Sequence, residues 1–197
     1  MHTKRSWMGA VLVSALLVLG AGCDDDDNNG DTPPPEAAPE VQDLTLSDAQ
    51  IVRVLVVANE GEVMLGQLGQ QRATSAEVRD FNARMVTEHT EAQQRLEQLA
   101  QDQGLVPEDS AVSQQLQDEV QRMMETLEAA PADTFDLAMM GSQVAAHART
   151  AMTGDALLMP QVQNTALRQE LMTLRRSVQE HLEEGADIHS DLADTLP

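Results

Sequence analysis

The amino-acid sequence predicts an all-α fold, and three observations lead to that prediction. Aromatic residues make up only 2% of the 197 residues and tyrosine is absent, so side chains that favour strands are scarce. Alanine, leucine, glutamine, glutamate, methionine and arginine, which favour helices, are the main residues of the chain. After residue 44, apolar residues recur at steps of three and four, as they do along the buried face of an amphipathic helix.

The first two predicted helices form a hairpin. Ser47 begins a capping box, and helix 1 runs from there to about Arg72. Thr74 and Glu77 form a second capping box, which starts helix 2, and Gly104 ends that helix. Because the connection between the two helices is very short, they must lie antiparallel.

A connection of about 30 residues, bracketed by Pro107 and Pro131, separates this hairpin from a second one. The segment between the prolines predicts a shorter helix. Helix 3 begins near Asp133 and fades between residues 154 and 160, and helix 4 begins near Asn164 and runs almost to the C-terminus. A long link between the second and third helices is typical of a ferritin-like bundle. The sequence therefore predicts a ferritin-like four-helix bundle of two antiparallel hairpins, joined by a long crossover that contains a short extra helix.

The two hairpins also resemble each other weakly. Residues 76–89 read AEVRDFNARMVTEH, and residues 165–181 read TALRQELMTLRRSVQEH. Both segments contain a small residue, then an apolar-Arg pair, then a Glu-His dipeptide, although the second is three residues longer. The likeness indicates a pseudo-two-fold relation between the hairpins.

The N-terminal segment predicts export. Two basic residues precede a short apolar run, and small residues then lead to Cys23, which is the order of a secretory signal. The apolar run is too short for a membrane span. Cys23 is the only cysteine, and its setting resembles the lipobox of bacterial lipoproteins, with Gly20 where leucine is usual. The sequence predicts a lipoprotein-type signal peptide over residues 1–22 and a lipidated Cys23.

Composition divides the rest of the chain in two. Residues 23–44 contain the lipidated cysteine and an acidic, proline-rich tether that cannot bury enough surface to fold, and residues 45–197 form the helical domain. We expect an exported cell-envelope protein, held by its lipid to the periplasmic side of the inner or outer membrane. The formal net charge of -21 argues against nucleic acid as a partner.

Each long helix places one ionisable residue within its apolar stripe, and we take these four residues as the candidate site: Glu62, His89, His147 and His181. One carboxylate and three imidazoles suit a transition metal ion, and bundle cores are where such sites are built. A second interpretation is a buried polar network, in which the histidines hydrogen-bond to the carboxylate or to backbone carbonyls and specify the packing. A third is that the histidines are partly exposed and unrelated.

Two observations favour the polar network over the metal site. The Glu-x-x-His signature of di-iron bundles is absent, because a valine stands three residues before His89, His147 and His181. If helix 3 fades near residue 157, its histidine lies about 10 Å from the level of the histidine on helix 4. Glu88 points about 100° away from His89 along their shared helix, so Glu62 is the expected partner of His89.

The sequence contains no phosphate-binding loop, nucleophile elbow or paired zinc cysteines, which favours a non-enzymatic role. Three segments, residues 60–96, 135–152 and 179–188, resemble the DUF4142 family of exported bacterial proteins. They include the acidic-His pair TEH, the run QVAAH and the run QEHL. The resemblance implies a ferritin-like fold and export, and it implies no activity. We expect an envelope or stress-associated binding module, with a metal-binding or metal-dependent redox protein as the alternative.

Overall fold

The computed structural model describes residues 44–195, and every regular element in that range is helical. Cys23, the predicted signal peptide and most of the predicted tether lie outside the described residues. The elements are α1 (Asp48–Arg72), α2 (Ala76–Gln103), α3 (Ala111–Ala129), α4 (Phe135–Thr153), α5 (Met159–Gln161) and α6 (Thr165–Asp194). Within residues 44–195, no helix combines the length and the apolarity that crossing a bilayer requires.

Five of these helices are long, and they pack as two pairs with a connecting helix. The most extensive contacts join α1 to α2 and α4 to α6, and α3, the helix of the predicted crossover, packs mainly on α1. The all-helical prediction is confirmed. The capping box at Ser47 is also confirmed, since its Oγ accepts from the amide of Gln50 at 3.2 Å and its own amide donates to the Gln50 side chain at 3.0 Å.

The predicted helix 3 corresponds to α4, and its predicted end is wrong, because the helix does not fade after residue 154. It continues from α4 through a π-helical turn, Gly154–Leu158, into α5. Pro160 lies directly after this π-helical turn, at the start of α5. The connection to α6 is consequently only three residues long.

The second predicted capping box is also wrong by one residue. Ser75, not Thr74, is the N-cap of α2, and its side chain accepts from the amide of Val78. The Thr74 hydroxyl instead donates to Asp136 on α4 at 2.6 Å. The hydroxyl that the sequence pattern assigned to the helix cap is therefore hydrogen-bonded to a carboxylate on another helix.

In each helix pair, one carboxylate accepts hydrogen bonds from the turn that connects the two helices of the other pair. Asp136, in the first turn of α4, accepts from the amides of residues 74 and 75 just before α2. Asp48, in the first turn of α1, accepts from the amides of residues 163 and 164 just before α6, at 2.9 and 2.8 Å. Arg79 and Arg168, the arginines of the weak repeat, each donate to backbone carbonyls just before their own helix, Arg79 to residues 73 and 74 and Arg168 to residues 159 and 162. These matched contacts agree with a pseudo-two-fold relation.

The core has two apolar clusters with a polar layer between them. One cluster includes Ile51, Leu96 and Leu167, and the other includes Phe81 and Phe135. Between them along α1, α2, α4 and α6 lie six buried polar side chains: Asn59, Glu62, His89, Gln143, His147 and His181. The fold therefore surrounds the candidate residues with apolar packing on both sides.

Candidate metal centre

The three histidines meet in the polar layer, one from each of α2, α4 and α6. The ring centroids of His89, His147 and His181 lie 5.2 to 5.6 Å apart. All three side chains are buried, with exposed fractions of 8%, 1% and 4%. They come from three different helices, so the cluster depends on the tertiary fold.

The axial offset predicted between His147 and His181 is wrong. Because α4 continues through α5 to Gln161, His147 lies 14 residues before the end of that helix (161 − 147), and His181 lies 16 residues after the start of α6 (181 − 165). Two positions at nearly equal distances from one tight turn stand at the same height. The two ring centroids are accordingly 5.2 Å apart.

One nitrogen of His147 is held by the backbone of its own helix. His147 Nδ1 lies 2.9 Å from the carbonyl oxygen of Gln143. A carbonyl only accepts hydrogen bonds, so Nδ1 carries the proton and Nε2 carries the lone pair. The Gln143 side chain is itself fixed, since its amide nitrogen donates to Asn82 Oδ1 at 3.0 Å.

The other two rings are held in the same manner by side chains. His89 Nδ1 lies 2.9 Å from Asn59 Oδ1, whose amide nitrogen donates to a backbone carbonyl of α1, so the oxygen faces the ring as an acceptor. His181 Nε2 lies 2.7 Å from Glu88 Oε2. Each of these nitrogens therefore donates, and the lone pair lies on the opposite nitrogen of each ring.

Three lone pairs are thus left inside the bundle. His89 Nε2, His147 Nε2 and His181 Nδ1 are buried and have no hydrogen-bond partner among residues 44–195. One nitrogen from each ring can be chosen so that all three lie within 4.8 Å of one another. Buried polar atoms are normally satisfied, so three orphaned acceptors in one place need an explanation.

Glu62 lies beside this group and is not one of its members. The set of side chains with ligand atoms within 4.8 Å of one another comprises the three histidines alone. Glu62 Oε1 lies 3.6 Å from His147 Nδ1, and Oε2 has no hydrogen-bond partner within the described range. Burial raises the pKa of the Glu62 carboxyl, against the opposing effect of His147. The hydrogen bond expected between Glu62 and His89 is replaced by the one from His89 to Asn59.

The environment keeps two of the rings neutral. Burial, reinforced by the neighbouring rings of His147 and His181, lowers the pKa of His89 from its ordinary value to about 3. Burial also lowers the pKa of His181, although its hydrogen bond to Glu88 opposes that effect. Neutral imidazole is the form that binds metal ions, so His89 and His181 are ready to act as ligands at neutral pH.

Sequence reasoning missed the residues that orient the histidines. Glu88 points about 100° away from His89, and that direction faces α6 and therefore His181. Asn59 and Gln143 each lie one turn before an ionisable core residue of the same helix and are buried. An amide within an apolar stripe was the signal that could have identified Asn59, whereas Gln143 holds His147 through its backbone carbonyl.

A cavity of about 310 Å³ adjoins the three rings. It is bounded by α1, α2, α4 and α6, and its lining includes His89, His147, His181 and Glu62. The polar cluster therefore borders a cavity large enough for a small molecule.

Together, the fold and the site define a class: an all-helical protein with a buried tri-histidine cluster in its core. The chain belongs to the DUF4142 family, described as a domain of unknown function, whose family model matches residues 32–188. No curated protein shows significant similarity to the chain, and neither does any solved structure.

Proposed function

We propose that this protein binds one divalent transition metal ion through His89 Nε2, His147 Nε2 and His181 Nδ1. Two observations support the proposal: each of the three rings has one buried nitrogen without a partner and a second nitrogen that is already held, and ligand atoms of the three rings lie within 4.8 Å of one another. Histidines that bind metals almost always donate their second N–H to a carboxylate, a carbonyl or a comparable acceptor. Glu88, the Gln143 carbonyl and the Asn59 amide oxygen supply these acceptors.

A polar network without metal accounts less well for the same geometry. In such a network each lone pair would accept a hydrogen bond, and the described part of the chain provides no donor to these three nitrogens. Nitrogen donors suit zinc, copper, iron and nickel rather than magnesium or calcium. Because divalent affinities generally peak at copper, we expect Cu²⁺ and Zn²⁺ to bind most tightly.

We further propose that the metal-binding domain is ferritin-like and is anchored in the cell envelope. Two helix pairs linked through α3 support the ferritin-like arrangement. The N-terminal sequence supports export and lipidation at Cys23, and the acidic tether supports a domain held at a distance from the membrane. In this proposal the protein is an envelope metal-binding module, and no reaction is assigned to it.

Metal stoichiometry tests the central proposal. Equilibrium dialysis of the purified protein against Zn²⁺ or Cu²⁺, followed by elemental analysis, is expected to give one bound ion per chain. Substitution of a residue that hydrogen-bonds to a metal ligand typically lowers metal affinity by roughly 10- to 100-fold, and His147→Gln, which removes a ligand, should lower it by more. His189→Gln is the matched control, because His189 lies near the end of α6 and outside the three-ring group, and it should still bind one ion. A protein that binds no ion, or a His147→Gln variant with unchanged affinity, contradicts the proposal.

Metabolic labelling tests the anchor. Cells given a fatty acid with an alkyne tag should attach the tag to the wild-type protein and not to Cys23→Ala, because Cys23 is the only cysteine. Gly22→Ala keeps a small residue before the cysteine and should remain labelled. Equal labelling of wild type and Cys23→Ala would show that the lipid is absent or attached elsewhere.

A further inference from the structure

The cavity beside the three rings lies where an outside ligand could reach a bound ion. We propose that it takes a small neutral molecule with one nitrogen donor and an apolar body. In this arrangement the donor completes the coordination of the ion and the body packs against the aliphatic wall. This inference rests on the proposed metal site, and it adds the class of ligand that the site accepts.

The number of protein ligands supports an open coordination position. Structural zinc sites have four protein ligands, whereas sites that bind or convert small molecules have three protein ligands and one exchangeable position. Here the ligand group contains three histidines, and Glu62 lies outside it, beside His147 Nδ1. The same three histidines line the cavity, so there is space beside the ligand group.

The lining residues of the cavity indicate that the part of the ligand away from its nitrogen donor is apolar. Five aliphatic side chains line the cavity: Leu55, Ala58, Ala92, Leu174 and Val178. At about 310 Å³ the cavity is at the lower end of the range of volumes of small-molecule sites. The lining of such sites is generally mostly apolar. A compact apolar group is therefore the body that this wall accommodates.

The charges around the cavity select a neutral donor. Glu62, Glu88 and Glu91 all line it. The one cation among its lining residues, Arg95, lies 3.4 Å from Glu170 and is thus already paired. The bound ion carries positive charge of its own, but the three carboxylates oppose that charge and no unpaired cation of the lining adds to it. A neutral nitrogen heterocycle is therefore favoured over a carboxylate or phosphate.

Loading the site with Co²⁺ allows ligand binding to be followed by the visible absorption of the ion. The protein loaded with Co²⁺ is titrated with imidazole and with 4-phenylimidazole, and the visible absorption of the ion is recorded. Both should shift the spectrum to saturation, and 4-phenylimidazole should bind at least about tenfold more tightly, because its ring buries apolar surface against the wall. Dialysis at the end of the titration should still recover one Co²⁺ per chain.

Cavity variants separate this ligand site from the metal site. Ser177 lines the cavity, and Ser177→Leu should weaken 4-phenylimidazole binding by about tenfold or more while one Co²⁺ per chain remains bound. Thr173→Leu is the matched control, because Thr173 lies one turn earlier on α6 and does not line the cavity, and it should leave both affinities unchanged. Ala58→Leu fills the same cavity from α1 and provides a second test if the first variant folds poorly.

The outcomes are distinguishable. One bound Co²⁺ with a spectrum that neither molecule changes overturns the ligand site and leaves the metal site standing. Equal affinities for imidazole and 4-phenylimidazole, unaffected by Ser177→Leu, also overturn it. Failure of the protein to bind Co²⁺, Zn²⁺ or Cu²⁺ overturns both proposals.

Discussion

Saturation with Zn²⁺ is expected to raise the free energy of unfolding of this protein by about 4 kcal/mol when the free ion is at roughly 1,000 times its Kd. The ion stabilises the folded state because His89, His147 and His181 come together only when α2, α4 and α6 are packed. For a chain of this size the increase corresponds to a rise in Tm of about 10 °C. Urea unfolding followed by circular dichroism, with and without the ion, measures the effect.

Variants and a second cation provide the controls for this stabilisation. His147→Gln should lose most of the increase, and His189→Gln should retain it, because His189 lies outside the ligand group. Ca²⁺ should produce no comparable rise, since it requires oxygen ligands and the site offers imidazole nitrogen. An equal rise in wild type and His147→Gln would mean that the ion binds elsewhere, for example to the acidic surface.

The second large effect is expected from Gly66→Ala, which should lower the free energy of unfolding by about 2 kcal/mol. A Cβ on Gly66 would lie 2.9 Å from the backbone oxygen of Asn82 and 2.8 Å from a methyl group of Val86. The backbone oxygen cannot turn aside as a side chain can, so α1 and α2 must separate. This cost exceeds the gain of up to about 1 kcal/mol that Gly→Ala normally brings inside a helix.

Gly154→Ala is the matched control for this prediction. A Cβ on Gly154 would meet no heavy atom within 4 Å, and its backbone is helical, so the substitution should stabilise the protein by up to about 1 kcal/mol. Urea unfolding of the metal-free variants compares the two. Changes of the same sign in Gly66→Ala and Gly154→Ala would show that close packing of α1 on α2 is not the cause.

The effect of Gly66→Ala should extend to metal affinity. Close packing of α1 on α2 places Asn59 against His89 Nδ1. Asn82, whose backbone oxygen the new methyl group would displace, also holds the side chain of Gln143, and the Gln143 carbonyl orients His147. Separation of the two helices therefore disturbs the orientation of two ligands, and we expect Zn²⁺ to bind about 10-fold more weakly.

Much of the secondary structure could be predicted because its signals are local. The spacing of apolar residues located the long helices, Ser47 and Gln50 began α1, and Gly104, whose φ of 65° favours glycine, ended α2. The same spacing placed four ionisable side chains on inward faces, and all four are buried. Each of these predictions depends on residues within about one helical turn of one another.

Contacts between helices could not be predicted in the same way. The periodicity located His147 and His181 on inward faces but misjudged their relative height, because it did not reveal the π-helical turn that extends α4. The sequence predicts a capping role for Thr74 and no role for Glu88, and each contacts a residue on another helix. The rotation and axial position of one helix against another depend on such long-range bonds.

The sequence by itself determined the helical class, the main helix positions and the burial of three histidines and one glutamate, since helical periodicity and capping act over a few residues. Only the tertiary structure decided that His89, His147 and His181 form one group and that Glu62 lies beside it. The physical reason is that the distances between the three rings change with ångström-scale shifts of one helix against another. Those relative positions depend on contacts between helices, such as the close packing at the glycines and the hydrogen bonds of Asp48 and Asp136.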